Sequence, residues 1–464
     1  MAAKRVQENE LLDSVPEKKY KAGEDSKLQK FLEWCTTSKL DLNPKVTVGK
    51  EGSCSNYGMV AVEDIDESEV LFEIPRSLLL DERTTAIQEL LSQEMDSLES
   101  GSGWVPVLIS LMHEFNNPSS KWRPYLDLVP EEGDLDLPMF WNKSDIENEL
   151  KGTGVPEMVK KDLGFIEREY NNIVLPFVKK HPEHFPKICE DIEFYKQMVA
   201  FVMAYSFTEP ERPEENNEEN NEEEEEGEIE RKTTPFMVPM ADILNHVAKN
   251  NAHLDFGKEA LKMVAVKPIK KGEEVFNTYG ELPNAQLLQM YGFTEAYPLN
   301  HYDNIDIGLT VLRDIMMSNP PEGNLKLAKE KWNFMEDSGR ISSEGGIVVG
   351  REGVLTEEDL RALLKVIFMS KGDFEEYKHN DDGWSDDEEG DDTTFPLQFD
   401  KMHLLPATWK TFLKSVCQKC VKQYNTTLEQ LENQLETDNS ERNRYCKYLK
   451  HGQLKILQKF VDSL

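Results

Sequence analysis

A chain of 464 residues is longer than one hydrophobic core sustains, so its length predicts two or three domains. Its formal net charge of −35 argues against non-specific binding to the phosphate backbone of nucleic acids and favours basic proteins as partners. Much of this charge lies in two tracts, because thirteen glutamates fall within 209–230 and ten acidic residues fall within 375–392.

The N-terminus and the cysteines bear on cellular location. The first residues, MAAKRVQENELL, lack the apolar core of a signal peptide, and no apolar run approaches the length of a membrane span. Six cysteines in so long a chain predict free thiols in a reducing compartment. Two basic clusters, Lys4-Arg5 and Lys18-Lys19, have the outline of a bipartite nuclear signal, although such pairs are equally common in polar tails. We expect a soluble intracellular protein located in the nucleus, with the cytoplasm as a second location.

The first part of the chain is predicted to be rich in strands. Residues 1–25 are polar and predict a disordered tail, and Ser26 begins a short helical pattern. Between Val46 and Pro75, strand-like runs alternate with turns.

A helical insert is predicted at about 80–208, where the clearest amphipathic segments are 104–115 and 193–207. The acidic segment 209–232 is too highly charged to pack and predicts a solvated loop. Strand character then returns, at 236–238 and 263–266 among other places.

Helical periodicity dominates from residue 301 to the end, so 301–464 predicts a separate all-helical domain. The acidic tract 375–392 predicts a loop that interrupts this domain.

The stretch 271–293 carries the densest set of signals. Tyr279 precedes Gly280, and a glycine that takes a positive φ allows the phenol to point into a cleft. A helical pattern then starts at Asn284, a predicted N-cap, and ends at Gly292, which suits the C′ position. Its apolar stripe consists of Leu287, Leu288 and Tyr291. Taken alone, Tyr279 is more simply interpreted as a core residue at the end of a strand.

Two other stretches favour a functional role for Tyr279 over a core position. Asn56-Tyr57-Gly58 precedes a strand, and Gly58 lets a ligand approach the backbone closely, although a single such glycine usually marks only a turn. Asn245-His246 ends an apolar run, where a lone histidine is more often a satisfied core residue than a ligand-binding one. An adjacent amide and imidazole nevertheless offer groups that bind an adenine or an amino acid.

In this order the three stretches resemble the SET-domain protein lysine methyltransferases, in the branch of the Rubisco large-subunit methyltransferase. The likeness is carried by Asn56-Tyr57-Gly58, by Asp242 with Asn245-His246, by Asn277 with Tyr279-Gly280, and by Tyr291-Gly292-Phe293. It implies an α+β fold with a pseudoknotted, β-rich SET domain at 26–300 that contains the helical insert. The helical domain at 301–464 is then the substrate-binding domain.

The resemblance also implies a site for S-adenosyl-L-methionine. The implied cofactor-binding residues are Asn56, Tyr57, Gly58, Tyr205, Asn245, His246 and Tyr291. Tyr205 stands where plant relatives have an arginine near the cofactor carboxylate. Tyr279 is the implied catalytic residue, and the implied substrate-binding residues are Trp104, Ser206, Thr208 and Phe293.

These residue types suit methyl transfer from a sulfonium to an amine, an in-line displacement in which positioning and desolvation supply most of the barrier reduction. The unperturbed pKa of lysine is about 10.4, so a narrow apolar channel that disfavours the ammonium helps to generate the nucleophile. Aromatic walls attract the incoming cation.

No metal is needed in this interpretation. The pair Cys417-x-x-Cys420 lies within a helical pattern, and Cys446 with His451 has a spacing outside the usual zinc-finger range. A helical pair is therefore favoured over a zinc site.

The sequence thus predicts an S-adenosylmethionine-dependent protein-lysine N-methyltransferase that acts on basic segments. By resemblance its substrates are nuclear, namely RelA-type transcription factors of NF-kappa-B signalling and histones, and its product is monomethyllysine. Neither nucleic acid nor a membrane is an expected partner, and the oligomeric state is left open. Two alternatives stay open: methylation of histidine, which a relative in the same branch performs, and a non-enzymatic module whose acidic tracts bind a basic partner.

Overall fold

The computed structural model describes residues 26–49, 57–129, 135–209, 234–339, 341, 345–378, 396–435 and 440–464. The strands are β1 (Asp41–Leu42), β2 (Val46–Gly49), β3 (Gly58–Ala61), β4 (Val70–Pro75), β5 (Ser206–Phe207), β6 (Phe236–Met237), β7 (Ala252–Phe256), β8 (Ala260–Ala265), β9 (Glu274–Val275), β10 (Asn304–Gly308) and β11 (Gly346–Gly350). The helices are α1 (Ser26–Thr37), α2 (Gln88–Glu94), α3 (Val105–Asn116), α4 (Arg123–Leu126), α5 (Lys143–Glu149), α6 (Val155–Glu169), α7 (Leu175–Lys180), α8 (Ile192–Tyr205), α9 (Asn284–Tyr291), α10 (Leu309–Ser318), α11 (Leu325–Asp337), α12 (Glu357–Phe368), α13 (Lys371–Tyr377), α14 (Ala407–Val421), α15 (Leu428–Glu432) and α16 (Glu441–Ser463). None of the helices in this part of the chain is long and apolar enough to cross a membrane.

Small antiparallel sheets in the first part of the chain set up the site. One sheet has the strand order β1-β4-β8-β7, a second has the order β2-β3-β9, and β5 pairs with β6. In the second sheet Met59 lies opposite Val275, so the start of β3 runs beside the chain that leads to Tyr279. All four residues of β3 are buried, which explains why its sequence, GMVA, has no polar alternation. The predicted strands between Val46 and Pro75 are present.

Helices α2–α8 form the insert between β4 and β5. The sequence predicts that the last of them runs through 193–207, but α8 ends at Tyr205. The prediction is wrong there because Ser206 and Phe207 pair with β6 as the strand β5. The change from helix to strand occurs directly at Tyr205, one of the predicted site residues.

The C-terminal region is helical, as predicted, but it also contains an antiparallel ribbon. Strand β10 pairs with β11 along their whole length, and the periodicity did not predict either strand. The loop predicted at 375–392 starts too early, because α13 continues through Tyr377. The rest of that tract beyond Lys378, like the acidic residues 210–232, lies outside the described residues.

Two hydrophobic cores divide the molecule. The first core includes side chains from α1 through Leu288, and the second begins at Ile305 and includes α10–α15. The last helix, α16, contributes to both. Its Cys446 and Leu449 are buried in the first core, whereas Leu454, Ile456, Leu457 and Phe460 are buried in the second.

Candidate active site

The three motif stretches converge beside β9. The side-chain amide of Asn245 donates to Tyr57 O (3.2 Å) and to Glu274 Oε1 (2.7 Å). The backbone N–H of Asn277 donates to Asn245 O (2.9 Å), within a parallel bridge between His246 and Asn277. Parts of the chain that are distant in sequence therefore meet around Asn245.

Three of the predicted cofactor residues, Asn56, Tyr57 and Gly58, are consecutive in the sequence. Asn56 lies outside the described residues, Tyr57 is half-buried, and Gly58 is the buried first residue of β3. As a glycine, Gly58 places no side chain beside the backbone. The structure thus brings Tyr57 and Gly58 to Asn245.

Tyr279 is held at both its backbone and its hydroxyl. Its backbone N–H donates to His246 Nδ1 (2.9 Å), and its phenol O–H donates to Leu244 O (3.0 Å). Gly280 has φ 126°, so the predicted glycine corner is present. The phenol lies over the Asp242–His246 segment rather than in a strand core, as the simpler interpretation would have required.

His246 is only 1% exposed, and burial lowers its pKa to about 4. At neutral pH its ring is therefore uncharged, and Nδ1, which accepts the Tyr279 N–H, is the unprotonated nitrogen. Its environment is that of a buried core histidine, and what it does there is to fix the backbone of Tyr279. Its role as a cofactor-binding residue stays a prediction.

An aromatic cluster surrounds Tyr279. Its ring centroid is 4.6 Å from that of Tyr291, 5.1 Å from that of His246 and 6.3 Å from that of Phe293. Phe293 is buried, Tyr291 is half-buried, and burial raises the pKa of Tyr291 to about 12. Such walls disfavour a free ammonium by desolvation while their π faces attract a cation or a sulfonium.

Helix α9 carries Tyr291 into this cluster. Its predicted apolar stripe is present, since Leu287 and Leu288 are fully buried, and Gly292 ends it with φ 78°. The predicted N-cap is wrong: Pro283 precedes the helix, and Asn284 is its first residue, with no side-chain cap. The side chain of Asn284 is instead buried, and its amide donates to Glu295 O and to Asp303 Oδ2 in two later segments.

Tyr205, Ser206 and Thr208 lie where α8 passes into β5. Tyr205 is half-buried with its ring 5.3 Å from that of Phe201, Ser206 is half-buried in β5, and Thr208 is exposed. The ring of Phe201 is in turn 6.4 Å from that of Tyr125, whose hydroxyl reaches the Asp242–His246 segment. These ring contacts link Tyr205 to the Asp242–His246 segment, and the predicted roles of Tyr205, Ser206 and Thr208 stay predictions.

Trp104 lies at the start of α3 and is fixed by a buried glutamate. Its backbone N–H donates to Ser102 Oγ (3.0 Å), and that hydroxyl donates to Glu169 Oε2 (2.6 Å). Tyr195 donates to the other oxygen of Glu169 (2.8 Å). This chain of hydrogen bonds positions Trp104, but it does not itself show that a substrate reaches the indole.

Asp242 is the residue of the site to which the sequence assigned no role. Its Oδ2 accepts a hydrogen bond of 2.5 Å from the Tyr125 hydroxyl, while its Oδ1 is buried and has no hydrogen-bond partner among the described residues. Burial raises the pKa of Asp242 to about 7. Met240, two residues before Asp242, has φ 82°, a backbone conformation that a non-glycine residue adopts only under strain. The signal that could have found Asp242 is an acid within an otherwise apolar run.

The cysteines and the histidine that were considered for a zinc site lie in α14 and α16. Cys417 and Cys420 are buried in α14, and Cys446 is buried in the first core. Across the described ranges no group of three histidine, cysteine or acidic side chains is placed to hold a metal ion. The five cysteines that the structure describes are free thiols.

Comparison with known proteins follows the same division of the chain. Residues 56–280 match the SET domain, and residues 322–457 match the Rubisco LSMT substrate-binding domain. The N-lysine methyltransferase setd6 of Xenopus laevis is 44% identical over 442 residues, which cover 93% of this chain and 94% of that protein. The N-lysine methyltransferase SETD6 of Homo sapiens is 39% identical over 463 residues, with the same two coverages of 93% and 94%.

Solved structures share the fold. A crystal structure of the SET domain of LSMT bound to lysine and AdoHcy has a TM-score of 0.61 at 18% identity, covering 95% of this chain and 91% of that one. A structure of Rubisco LSMT bound to AdoMet has a TM-score of 0.61 at 16% identity, covering 94% and 91%.

Proposed function

We propose that this chain, which belongs to the SET-domain family of protein-lysine N-methyltransferases, adds one methyl group to lysines in basic segments of nuclear proteins. Membership follows from the identity of 39–44% to the SETD6 enzymes over 93% of the chain and from the two matching domains. The chain is an S-adenosylmethionine-dependent protein-lysine N-methyltransferase. The family, the fold and the cofactor predicted from the sequence are confirmed, as is the narrower likeness of its motifs to SET-domain-containing protein 6.

The observation that carries the assignment of the reacting centre is the way Tyr279 is held. Its O–H is directed to Leu244 O, which fixes the position of the phenol oxygen. A fixed oxygen of this kind can accept weak C–H hydrogen bonds from a charged methyl group. Because Leu244 and His246 fix the phenol in advance, little reorganisation is needed when the methyl passes.

The residues around Asn245 suit the cofactor. Gly58 places no side chain beside the backbone, Tyr291 presents an aromatic face, and the neutral ring of His246 adds no positive charge that would repel a sulfonium. S-adenosylmethionine, when bound, supplies the methyl group on its sulfonium centre. We assign its binding to Asn56, Tyr57, Gly58, Tyr205, Asn245, His246 and Tyr291.

The lysine is desolvated by the aromatic walls and meets one acidic group. Tyr279, Tyr291 and Phe293 favour the neutral amine over the ammonium ion, because burial penalises charge. Asp242 Oδ1 is buried without a hydrogen-bond partner among the described residues, and we propose that it accepts a hydrogen bond from the ammonium ion when the peptide is bound. The ring centroids of Tyr279, Tyr291 and Phe293 lie 4.6–6.4 Å apart, and we propose that this close packing limits the product to monomethyllysine.

Charge supports a basic substrate. The net charge of −35 and the acidic tract that follows Thr208 favour encounter with lysine- and arginine-rich segments. We infer that histones and RelA-type transcription factors belong to this class, and that the protein works in the nucleus. We assign Trp104, Ser206 and Thr208 to the lysine channel.

The test is methyl transfer with site mapping. The full chain is incubated with methyl-labelled S-adenosylmethionine and a lysine-containing basic peptide, and the matched control is the same peptide with arginine in place of lysine. We expect one label, on lysine, and none on the control. Label on a histidine would favour the other activity known in the branch. Peptide binding without transfer would instead favour a non-enzymatic module.

A further inference from the structure

The last helix, α16, packs in both cores, and it does so next to the helix that carries Tyr291. Its first half buries Cys446 and Leu449 in the core of the SET domain, and its second half buries Leu457 and Phe460 in the core of the C-terminal domain. A helix shared in this way cannot move with one domain without disturbing the other. Helix α16 is also linked to both ends of α9.

At the start of α9, contact is made through Asp303. The backbone N–H and the side-chain amide of Asn284 donate to the two carboxylate oxygens of Asp303 (3.1 and 3.0 Å). Asn284 also pairs with Glu295, by donating to its carbonyl (3.0 Å) and accepting its N–H (2.9 Å). Gly452 of α16 lies so close to Asp303 that a Cβ atom at residue 452 would overlap a carboxylate oxygen.

Asp303 is 1% exposed, and burial raises its pKa to about 6. At neutral pH a charged carboxylate is thus kept in the interior at a cost in stability. The hydrogen bonds that it accepts, two from Asn284 and one from Asn304 N (3.2 Å), all require acceptor oxygens. The arrangement fixes the start of α9 against β10 and α16.

At the end of α9, contact is made through Asp136. Arg442 of α16 forms a two-pronged ion pair with Asp136, with Nε at 2.8 Å from Oδ2, and its guanidinium lies 4.6 Å from the centre of the Trp141 ring. A Cβ atom at Gly292 would lie 3.2 Å from Asp136 O, so the segment held by Arg442 abuts the turn after Tyr291.

A second contact reinforces this end, since Thr294 Oγ1 donates to Tyr445 O of α16 (3.1 Å). Phe293 therefore lies between two points, Gly292 and Thr294, that α16 holds directly or through Asp136.

We propose that α16 positions Tyr291 and Phe293, so that the C-terminal domain is a structural part of the cofactor and lysine site, with Arg442 and Asp303 as the positioning residues. This inference rests on the proposed function in taking Tyr291 and Phe293 as walls of that site. The contacts of Asp303 with Asn284 and of Arg442 with Asp136 form two clasps, one at each end of α9. Loss of either clasp lets α9 shift, which weakens cofactor binding and allows more than one methyl group to be added.

The test is Arg442→Ala compared with Arg444→Ala. Arg444 is on the same helix, where it pairs with Glu441 and stacks on the Tyr445 ring, so its loss leaves the ion pair between Arg442 and Asp136 intact. Each variant is assayed for S-adenosylmethionine affinity by calorimetry, for the ratio of mono- to dimethylated peptide, and for its urea midpoint. We expect Arg442→Ala to weaken cofactor binding about three- to tenfold and to release dimethyllysine. Arg442→Lys should restore part of the affinity, since lysine keeps the positive charge but cannot form the bidentate ion pair of arginine.

Gly452→Ala tests the other clasp, with the surface helix variant Gly372→Ala as its control, because only the former meets Asp303. Should Arg442→Ala not fold, Asp136→Asn is measured in its place. A lower urea midpoint with unchanged cofactor affinity and product ratio would reduce the clasps to stabilising contacts and overturn the inference. A wild-type chain that neither binds S-adenosylmethionine nor transfers methyl would instead overturn the proposed function.

Discussion

Asp242→Asn should make the protein more stable at pH 8 and less active. Burial raises the pKa of the Asp242 carboxyl from 3.8 to about 7, so the ionised form is disfavoured in the folded state. At 1.36 kcal/mol per unit, a shift of about three units corresponds to about 4 kcal/mol. The shift already includes the hydrogen bond from Tyr125, which lowers the pKa, and the amide oxygen of the variant can still accept that bond. The expected gain in the free energy of unfolding at pH 8 is therefore at most about 4 kcal/mol.

The sign of the pH dependence follows from the direction of the shift. Between about pH 4 and pH 7 the folded protein binds more protons at Asp242 than the unfolded chain does, so this residue makes stability fall as pH rises. The advantage of Asp242→Asn should be absent below about pH 4 and complete above about pH 7.

The assay is urea unfolding followed by circular dichroism across this range, with Asp255→Asn, an exposed change on the neighbouring strand β7, as the control. In parallel, kcat/KM for the lysine peptide should fall about tenfold, because the acceptor for the ammonium is weakened. A stability difference from wild type that does not change with pH would refute the electrostatic account of Asp242.

Three further predictions concern other residues. His246→Asn retains an acceptor for the Tyr279 N–H but cannot titrate. Because burial lowers the pKa of His246 to about 4, the free energy of unfolding of the wild type should fall by about 3 kcal/mol relative to the variant between pH 6.5 and pH 4. The same pH dependence of the unfolding free energy in both proteins would contradict this. Gly292→Ala forces φ 78° on a residue with a Cβ atom and should cost about 1–2 kcal/mol in unfolding free energy together with cofactor affinity; an unchanged urea midpoint would argue against the turn. Burial raises the pKa values of Cys417 and Cys420 to about 12 and about 11, so both thiols should react with a thiol reagent only in denaturant, and rapid labelling of the native protein would contradict their burial.

Local signals predicted a large part of the fold and the motif residues of the site. The stripe of Leu287 and Leu288 and the glycine at residue 292 describe one face and one end of a helix, and both are properties of neighbouring residues. The corner at Gly280 is local in the same sense. Recognition of the three stretches in order then identified the family, which no single stretch could do.

The remainder depends on contacts between distant residues. Asparagine is a residue type that favours the N-cap position, but Asp303 is brought to Asn284 only by the folded chain. The sequence therefore could not show that the side-chain amide of Asn284 donates to Asp303 instead. Strands of two residues, such as β5 and β9, are too short to show a period of two. Asp242 has an unusual pKa because of what buries it, and Tyr125 lies in a different element. The division of α16 between two cores likewise has no signature in its own periodicity.

The most direct test of the central claim is Tyr279→Phe. Phenylalanine keeps the ring beside His246 and Tyr291 and removes the hydroxyl that donates to Leu244 O. Calorimetry should show binding of S-adenosylmethionine within about twofold of wild type, while the single-turnover rate of lysine methylation should fall about 10²- to 10³-fold. Methylation at the wild-type rate by this variant would contradict the claim that the Tyr279 hydroxyl stands at the point of methyl transfer.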